Sequence, residues 1–374
     1  MTLSRVASSD PNLGRVLRCR YRLESKLGEG GMGVVYRGLQ LPINRPVAVK
    51  LMLPGPPGEH FMREQRFRRE AEATASLREE HTVRVFDYGV TEQREPFLIM
   101  ELLQGEDLQQ HLQKAGRLDP DSALKYGRQI LLGLAEAHAL GITHRDLKPS
   151  NVFLSRRHTG EICVKVVDFG IARFDARRST VKLTHQGALV GTPGYMPPEQ
   201  LQGQNVDARG DLYSFGVLLF ELLTGRLPFG ANPTPSLWQA HISSPPPRLQ
   251  TLVPELPALP SLQAFLDCLL AKRPQDRFVD CAAAQCALRQ VRRELRRGTP
   301  SFSFVSKHVA VEVASPSARR HGASQPDRVV VRFGSLVVLV LLLLLLALVW
   351  LLGRREKNAQ IERQSGSQST GVDQ

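Results

Sequence analysis

The apolar positions of this chain change spacing part-way along it. Over residues 21–101 they come in short runs rich in Val, Ile, Tyr and Phe, in YRLESKLG, GVVYRGL, RPVAVKLM, HTVRVFDYG and PFLIME, which predicts strands. One longer stretch among them, HFMREQRFRREAEATASLR, has helical spacing. From residue 107 onward helical spacing dominates, in SALKYGRQILLGLAEAHAL, DLYSFGVLLFELLTG, LPSLQAFLDCLLAK and CAAAQCALRQVRRELRR. The expectation is an α+β chain in two lobes, residues 21–101 mostly sheet with one helix and residues 102–297 mostly helix.

One run breaks both textures. Residues 333–352, FGSLVVLVLLLLLLALVWLL, carry no charge. About 20 residues rising about 1.5 Å each reach about 30 Å, the hydrocarbon thickness of a bilayer. A core helix of that length would show polar positions on one side, so the run predicts one C-terminal transmembrane helix. Arg328 and Arg332 precede it and Arg354, Arg355 and Lys357 follow it, so flanking charge does not orient it. The polar tail at 353–374 argues against a cleaved lipid-anchor signal. Residues 298–328, rich in Ser, Pro and Ala, read as a juxtamembrane linker whose basic residues could touch anionic headgroups. Residues 1–20 read as an N-terminal extension without the apolar run of a secretory signal. A leucine-rich span can pair with a second copy, which leaves a homodimer open, although no Gly-x-x-x-Gly marks it.

Length and charge narrow the chemistry. A chain of 374 residues holds one large or two ordinary domains, and its formal charge of +13 directs attention to an anionic partner. The basic run LRQVRRELRR, with Arg289, Arg292, Arg293, Arg296 and Arg297, lacks aromatic interleaving. It reads as the solvated face of a final helix, and no nucleic acid partner is expected. The five cysteines, Cys19, Cys163, Cys268, Cys281 and Cys286, form no Cys-x-x-Cys pair and no metal-ligand spacing, which suits reduced structural thiols of a cytosolic protein.

Four motifs carry reactive groups. LGEGGMGVV sets Gly28, Gly30 and Gly33 between two strands. Glycines that cradle a dinucleotide open a helix, whereas GVVYRGL continues as a strand, so the fit is a lid over phosphates or a tight structural turn. VAVK places Lys50 at the end of a third strand, with Glu70 of the helical stretch as its partner; Glu72, two residues on, faces elsewhere. VKVVDFG ends on Asp168, a carboxylate placed to hold a metal ion on phosphates. THRDLKPSN crowds Asp146, Lys148 and Asn151 into six positions. Phosphoryl transfer needs alignment, a base for the incoming hydroxyl and cations against developing charge. Asp146 would take or orient the hydroxyl proton, Lys148 would steady the transferring phosphate, and Asn151 would share the metal with Asp168.

In order, GEGGMG, VAVK, a helix glutamate, HRDLKPSN, DFG and GTPGYMPPEQ resemble the signature set of the protein kinase family across residues 21–297. The chain is similar to the eukaryotic-like serine/threonine kinases of bacteria, of the membrane-anchored type. The resemblance implies a two-lobed fold with an antiparallel N-lobe sheet, ATP with magnesium or manganese as cofactors, and Ser or Thr hydroxyls of proteins as substrates. It implies nucleotide contacts from Leu27, Gly28, Glu29, Gly30, Gly31, Met32, Gly33, Val34 and Val35 in the lid. Ala48, Lys50, Glu70, Met100, Glu101 and Leu103 would complete the ATP site, the last two through their backbone. Asp211 resembles the buried helix aspartate that braces His144 and Arg145, and Glu199 with Arg277 the ion pair that pins the end of the activation segment. Thr192 matches the threonine of the family's Gly-Thr pair, while Pro197 departs from the usual alanine or serine and stiffens the backbone there.

Regulation is expected through Arg145, which could bind a phosphate on the loop at 174–190. Ser179, Thr180 and Thr184 are its candidate sites, Thr184 nearest the favoured position. Because ATP and magnesium are cytosolic, the kinase domain is expected on the cytoplasmic side of a cell membrane. The expected function is a membrane-anchored serine/threonine kinase controlled by activation-loop autophosphorylation. The alternative is a membrane-tethered pseudokinase scaffold, against which the intact Lys50, Asp146, Asn151 and Asp168 weigh.

Overall fold

The computed structural model describes residues 10–30, 33–52, 60–157, 159–169, 193–232 and 234–297, all within the first of two units, Met1–Glu312, into which the chain divides. Strands β1 (Val16–Leu17), β2 (Tyr21–Gly30), β3 (Gly33–Gln40), β4 (Arg45–Met52), β5 (Val85–Val90) and β6 (Pro96–Glu101) form one antiparallel sheet in the order β1-β2-β3-β4-β6-β5. Helix α1 (His60–Ala75) packs on β5 and β6.

The central strand β4 explains how this lobe serves a site. All of its residues from Val47 to Met52 are buried, because both of its faces are covered. Successive side chains point to opposite faces. Val47, Val49 and Leu51 join Tyr21, Leu23, Tyr36, Phe97 and Ile99 in the lobe's own core. Met52, on the other face, meets Phe67 and Ala71 of α1, and Ala48 on the same face meets Met100 and Val83. Lys50 lies between Ala48 and Met52 in that second row, only 6% exposed. Such a burial demands a counter-charge.

The sheet begins upstream of residue 21. Strand β1 is too short to show a period and is fixed instead by distant partners. Arg15 pairs with Glu95 at 2.7 Å, Asn12 Nδ2 donates to the Tyr36 hydroxyl at 3.0 Å, and that hydroxyl donates to Asp10 at 2.9 Å.

The second lobe holds a small sheet, β7 (Gly105–Asp107), β8 (Val152–Arg156) and β9 (Ile162–Val166), and eight helices among the described residues. These are α2 (Leu108–Ala115), α3 (Pro120–Ala139), α4 (Pro198–Leu201), α5 (Ala208–Thr224), α6 (Pro235–Ser243), α7 (Leu249–Leu252), α8 (Pro260–Leu269) and α9 (Cys281–Arg297). The Asp119 side chain accepts the Ser122 amide proton and Pro120 supplies the first turn, which starts α3. Asp207 caps α5 in the same way through Arg209, and Gly225, at φ 71°, ends it by returning its amide to the Glu221 carbonyl. Between these caps α5 is apolar nearly all round and runs through the core against α3 and α8, with Phe215, Leu219 and Phe265 fully buried.

The expected membrane helix is corrected here. Residues 333–352 lie outside the described residues, as do the linker at 298–328 and the tail at 353–374. No helix among the described residues is long and apolar enough to cross a membrane. The most apolar of the long helices, α5, has 17 residues and is consumed by the core. The transmembrane element of the fold, the membrane-anchored kinase type, the membrane-tethered pseudokinase, the bilayer as partner and the cell-membrane location are therefore not supported, and what stands is the two-lobed kinase fold.

Gly216 lets α5 pass close to the end of α8. A Cβ there would stand 2.7 Å from the Leu269 Cβ. Helix propensity favours Ala over Gly by about 1 kcal/mol, but overpacking a core contact costs about 1–3 kcal/mol. Gly216→Ala is expected to lower the urea midpoint of unfolding; a raised midpoint would show that the two helices part without cost.

Candidate active site

The roof of the cleft comes from β2, β3 and β4. Gly28 pairs with Val35 and Gly30 with Gly33 across the β2–β3 hairpin, and the space beside Gly28 and Gly30 is open. Gly33 is needed for a different reason: a Cβ there would lie 2.3 Å from the Leu51 carbonyl oxygen of β4. Leu27 is exposed, Glu29 pairs with Lys26, and Gly31 and Met32 lie outside the described residues. Beneath the roof, Ala48, Val83 and Met100 form an apolar slot with Val35, Leu102, Leu103 and Val167 packed on it. Val34 instead packs with the lobe's own core. An apolar surface of this kind suits the face of a planar heteroaromatic ring. At Glu101 the amide is already given to the Arg84 carbonyl at 3.0 Å, and the carboxylate holds the Arg84 amide and Lys165, at 2.9 and 2.7 Å.

The floor is the loop at 143–151. Its His144 ring is fully buried: Nε2 donates to the Val167 carbonyl at 2.9 Å, and Nδ1 accepts the Asp146 amide proton at 3.2 Å. Asp211, rising from the first turn of α5, accepts the His144 amide on Oδ2 at 2.7 Å and the Arg145 amide on Oδ1 at 2.8 Å. These two bonds hold Arg145 at φ 62°, a left-handed conformation that a side chain disfavours. Burial alone would raise the Asp211 carboxyl, but the hydrogen bonds from His138 and the Arg145 amide hold it below the usual carboxylate range.

The polar groups converge past that bend. Lys148 Nζ lies 3.0 Å from Asp146 Oδ2, and Asn151 Nδ2 donates to the Asp146 carbonyl at 2.8 Å. That bond turns the carboxamide nitrogen toward the loop and leaves its oxygen as the cation-binding end. The Val167 amide donates to the Asn151 carbonyl at 3.0 Å, which sets Asp168 beside Asn151. Asp168 is itself at φ 61°, and Phe169 after it is buried against the His144 ring at 4.9 Å.

Lys50 Nζ pairs with Asp168 at 2.7 Å and so joins the two lobes. Burial would raise the Asp168 carboxyl, but the Lys50 charge and hydrogen bond hold it low. The sequence offered Glu70 as the partner of Lys50; the ion pair formed is with Asp168, while Glu72 of α1 accepts from the Tyr88 hydroxyl at 2.9 Å.

A platform supports the chain that re-enters the described region at Pro193. Arg277 grips Glu199 with two bonds, 2.7 and 2.8 Å, and spends its remaining donors on the Ala271, Arg209 and Lys272 carbonyls. Tyr195 donates to Glu221 at 2.6 Å. Tyr213 meets His241 Nδ1 at 2.9 Å, and the Lys272 ammonium stands 4.1 Å from the Phe229 ring centroid. Thr192 and the loop residues Ser179, Thr180 and Thr184 lie outside the described residues.

A protein kinase domain model matches residues 21–289. The chain belongs to the protein kinase family. This kinase is 38% identical over 317 residues to the serine/threonine-protein kinase PknL of Mycobacterium tuberculosis, a match covering 84% of the chain and 76% of that protein. It is 33% identical over 343 residues to the serine/threonine-protein kinase pkn3 of Myxococcus xanthus, covering 90% of the chain but only 62% of that protein's length. Among solved structures it resembles the Mycobacterium tuberculosis PknI kinase domain, with a TM-score of 0.59 and 27% identity, over 74% of this chain and 98% of that one. Its catalytic domain is an ATP-dependent protein serine/threonine kinase, and such domains work with ATP and magnesium.

Sequence reading missed Val83, Leu102 and Val167 of the slot, and His138, which meets Asp211 Oδ2 at 2.8 Å. Val167 could have been found from its place immediately before Asp168. Leu102 could likewise have been found between Glu101 and Leu103, whereas Val83 and His138 carry no local signal, because distant elements bring them to the cleft.

His241 makes the platform sensitive to acid. It is fully buried, and burial, with the nearby Lys272 charge, lowers its pKa from 6.5 to about 4. Between these values the unfolded chain binds a proton that the folded one refuses, so the contribution is full above about pH 6.5 and is lost as pH falls toward 4. The whole difference is on the order of 3 kcal/mol. Urea midpoints measured against pH should fall less steeply across this window for His241→Gln than for wild type; parallel curves would contradict the assignment.

Proposed function

We propose that this chain transfers the γ-phosphoryl group of ATP to Ser or Thr hydroxyls of protein substrates. The observation that carries the reading is the convergence of Asp146, Lys148 and Asn151 with the Lys50–Asp168 pair in one cleft under an apolar slot.

The residues present fit a magnesium nucleotide. Asp168 and the Asn151 carboxamide offer hard oxygen donors, and no group of three His, Cys, Asp or Glu able to cage a metal occurs among the described residues. Magnesium favours such a sparse set, because it keeps waters and takes the remaining ligands from phosphate. When bound, the ion neutralises charge growing on the phosphate oxygens. Asp146 orients the substrate hydroxyl and accepts its proton. Lys148, now on Asp146, would steady the transferring phosphate. Lys50 serves the phosphates, with Glu70 as the carboxylate on α1 that holds it there, and the slot takes the adenine through Ala48, Met100 and the backbone at Glu101 and Leu103. Manganese fits the same oxygen donors.

Control through the activation loop is part of the proposal. The Arg145 Nε is buried without a hydrogen-bond partner among the described residues, as suits a guanidinium awaiting a phosphate. Thr184, Thr180 and Ser179 are the candidate acceptors.

The test incubates the full chain with labelled ATP and magnesium and maps the label. Phosphoserine or phosphothreonine is expected, with Asp146→Asn slower by about 10²–10⁴ and Thr184→Ala blocking autoactivation. Equal transfer by Asp146→Asn, or none by folded ATP-binding wild type, would overturn the reading.

A further inference from the structure

His138, in the last turn of α3, bridges two elements far apart in the chain. Its Nε2 meets Asp211 Oδ2 at 2.8 Å, and its Nδ1 meets the Cys281 Sγ at 3.3 Å. Cys281 is the first residue of α9, four residues after Arg277. Asp280 fixes that turn by accepting the Ala283 amide at 2.7 Å. Both members of this contact are inside the fold, since Cys281 is 2% exposed and the His138 side chain 10%.

The donor count decides the proton positions. Ionised Asp211 offers only lone pairs, so His138 must present Nε2–H to it. A neutral imidazole then has its lone pair on Nδ1, and the group facing that lone pair is the Cys281 thiol. Burial, with the Asp211 charge added, raises the thiol pKa far above its ordinary value, so the sulfur keeps the proton it donates.

We infer that Cys281 is a positioning residue for phosphoryl transfer: its thiol donates to the His138 Nδ1 lone pair, fixes the orientation of the ring whose Nε2–H faces Asp211, and thereby keeps Asp211 fully bonded beneath the catalytic loop. Without this donor the buried Nδ1 lone pair has no partner, and the ring can turn so that its Nε2–H leaves the carboxylate. Asp211 then loses one of its three hydrogen bonds, and the His144 and Arg145 amides that it also holds gain play. Asp146 follows next in the chain, so play in that bend displaces the base. The inference rests on the phosphotransfer reading only for its kinetic consequence; the tautomer itself belongs to the resting protein.

Two measurements on the full chain test it. Two-bond proton–nitrogen NMR of ¹⁵N-histidine-labelled protein without ATP, assigned by His138→Gln, should show His138 protonated at Nε2 alone; a proton on Nδ1 overturns the proposal whether or not any variant folds. In kinase assays, Cys281→Ala should lower kcat about fivefold, the equivalent of one hydrogen bond, with KM for ATP unchanged. Cys281→Ser, which keeps a donor, should restore most of the loss, and Cys286→Ala, on the same helix, should behave as wild type. A wild-type kcat in Cys281→Ala, or Cys281→Ser as slow as Cys281→Ala, overturns it.

Discussion

The Asp211 carboxylate, fully buried in α5, accepts hydrogen bonds from the His144 amide, the Arg145 amide and His138 at 2.7, 2.8 and 2.8 Å. Moving a carboxylate into a protein interior costs several kcal/mol, and charge-assisted bonds of about 1.5–3 kcal/mol each offset that cost. The consequence is geometric. Two neighbouring peptides are held through a left-handed bend at Arg145, and the chain leaves that bend at Asp146. The rigidity of α5, capped by Asp207 and Gly225 and packed on α3 and α8, thus becomes rigidity of the loop that carries the base.

The rest of the cleft is arranged around this fixed floor. Strand β4 uses one face for its lobe's core and the other for the slot, and the alternation that separates them also delivers Lys50 to Asp168. That pair is held by attraction across the lobes and by burial of the ammonium. Glu199 and Arg277 do a comparable service below, where the guanidinium has all its donors engaged and fixes the return of the activation segment. Four residues on, α9 begins at Cys281, so one short stretch touches both the segment's anchor and the group under the catalytic loop.

Much of this was legible in the chain itself. The short β-rich runs and the later helical spacing separate the lobes, because strands buried on one or two faces and long core helices leave different periods. The strings VAVK, HRDLKPSN and DFG were readable because neighbouring residues in the chain serve one reaction. What lay beyond reading depends on distant contacts. Strand β1 has no period of its own and is set by Arg15 with Glu95 and by Tyr36 with Asp10 and Asn12. Asp211 could be placed only by resemblance, since an aspartate inside an apolar helix does not reveal its partner. His138 and Cys281 are 143 positions apart and meet only because α9 packs along α3. The pairing of Lys50 with Asp168, 118 positions on, is likewise set by contacts remote in sequence. The apolar run at 333–352 invited a membrane assignment that no helix among the described residues supports.

The most direct test of Asp211 as the organising group is Asp211→Asn, which keeps the shape of the side chain and removes its charge and one acceptor. Steady-state kinetics with varied ATP should show kcat lowered by about 10²-fold, the scale of an ångström-level misplacement, with KM for ATP nearly unchanged and the fold retained by circular dichroism. An undiminished kcat in the folded variant would contradict the account, because the bend before Asp146 would then be held by something else.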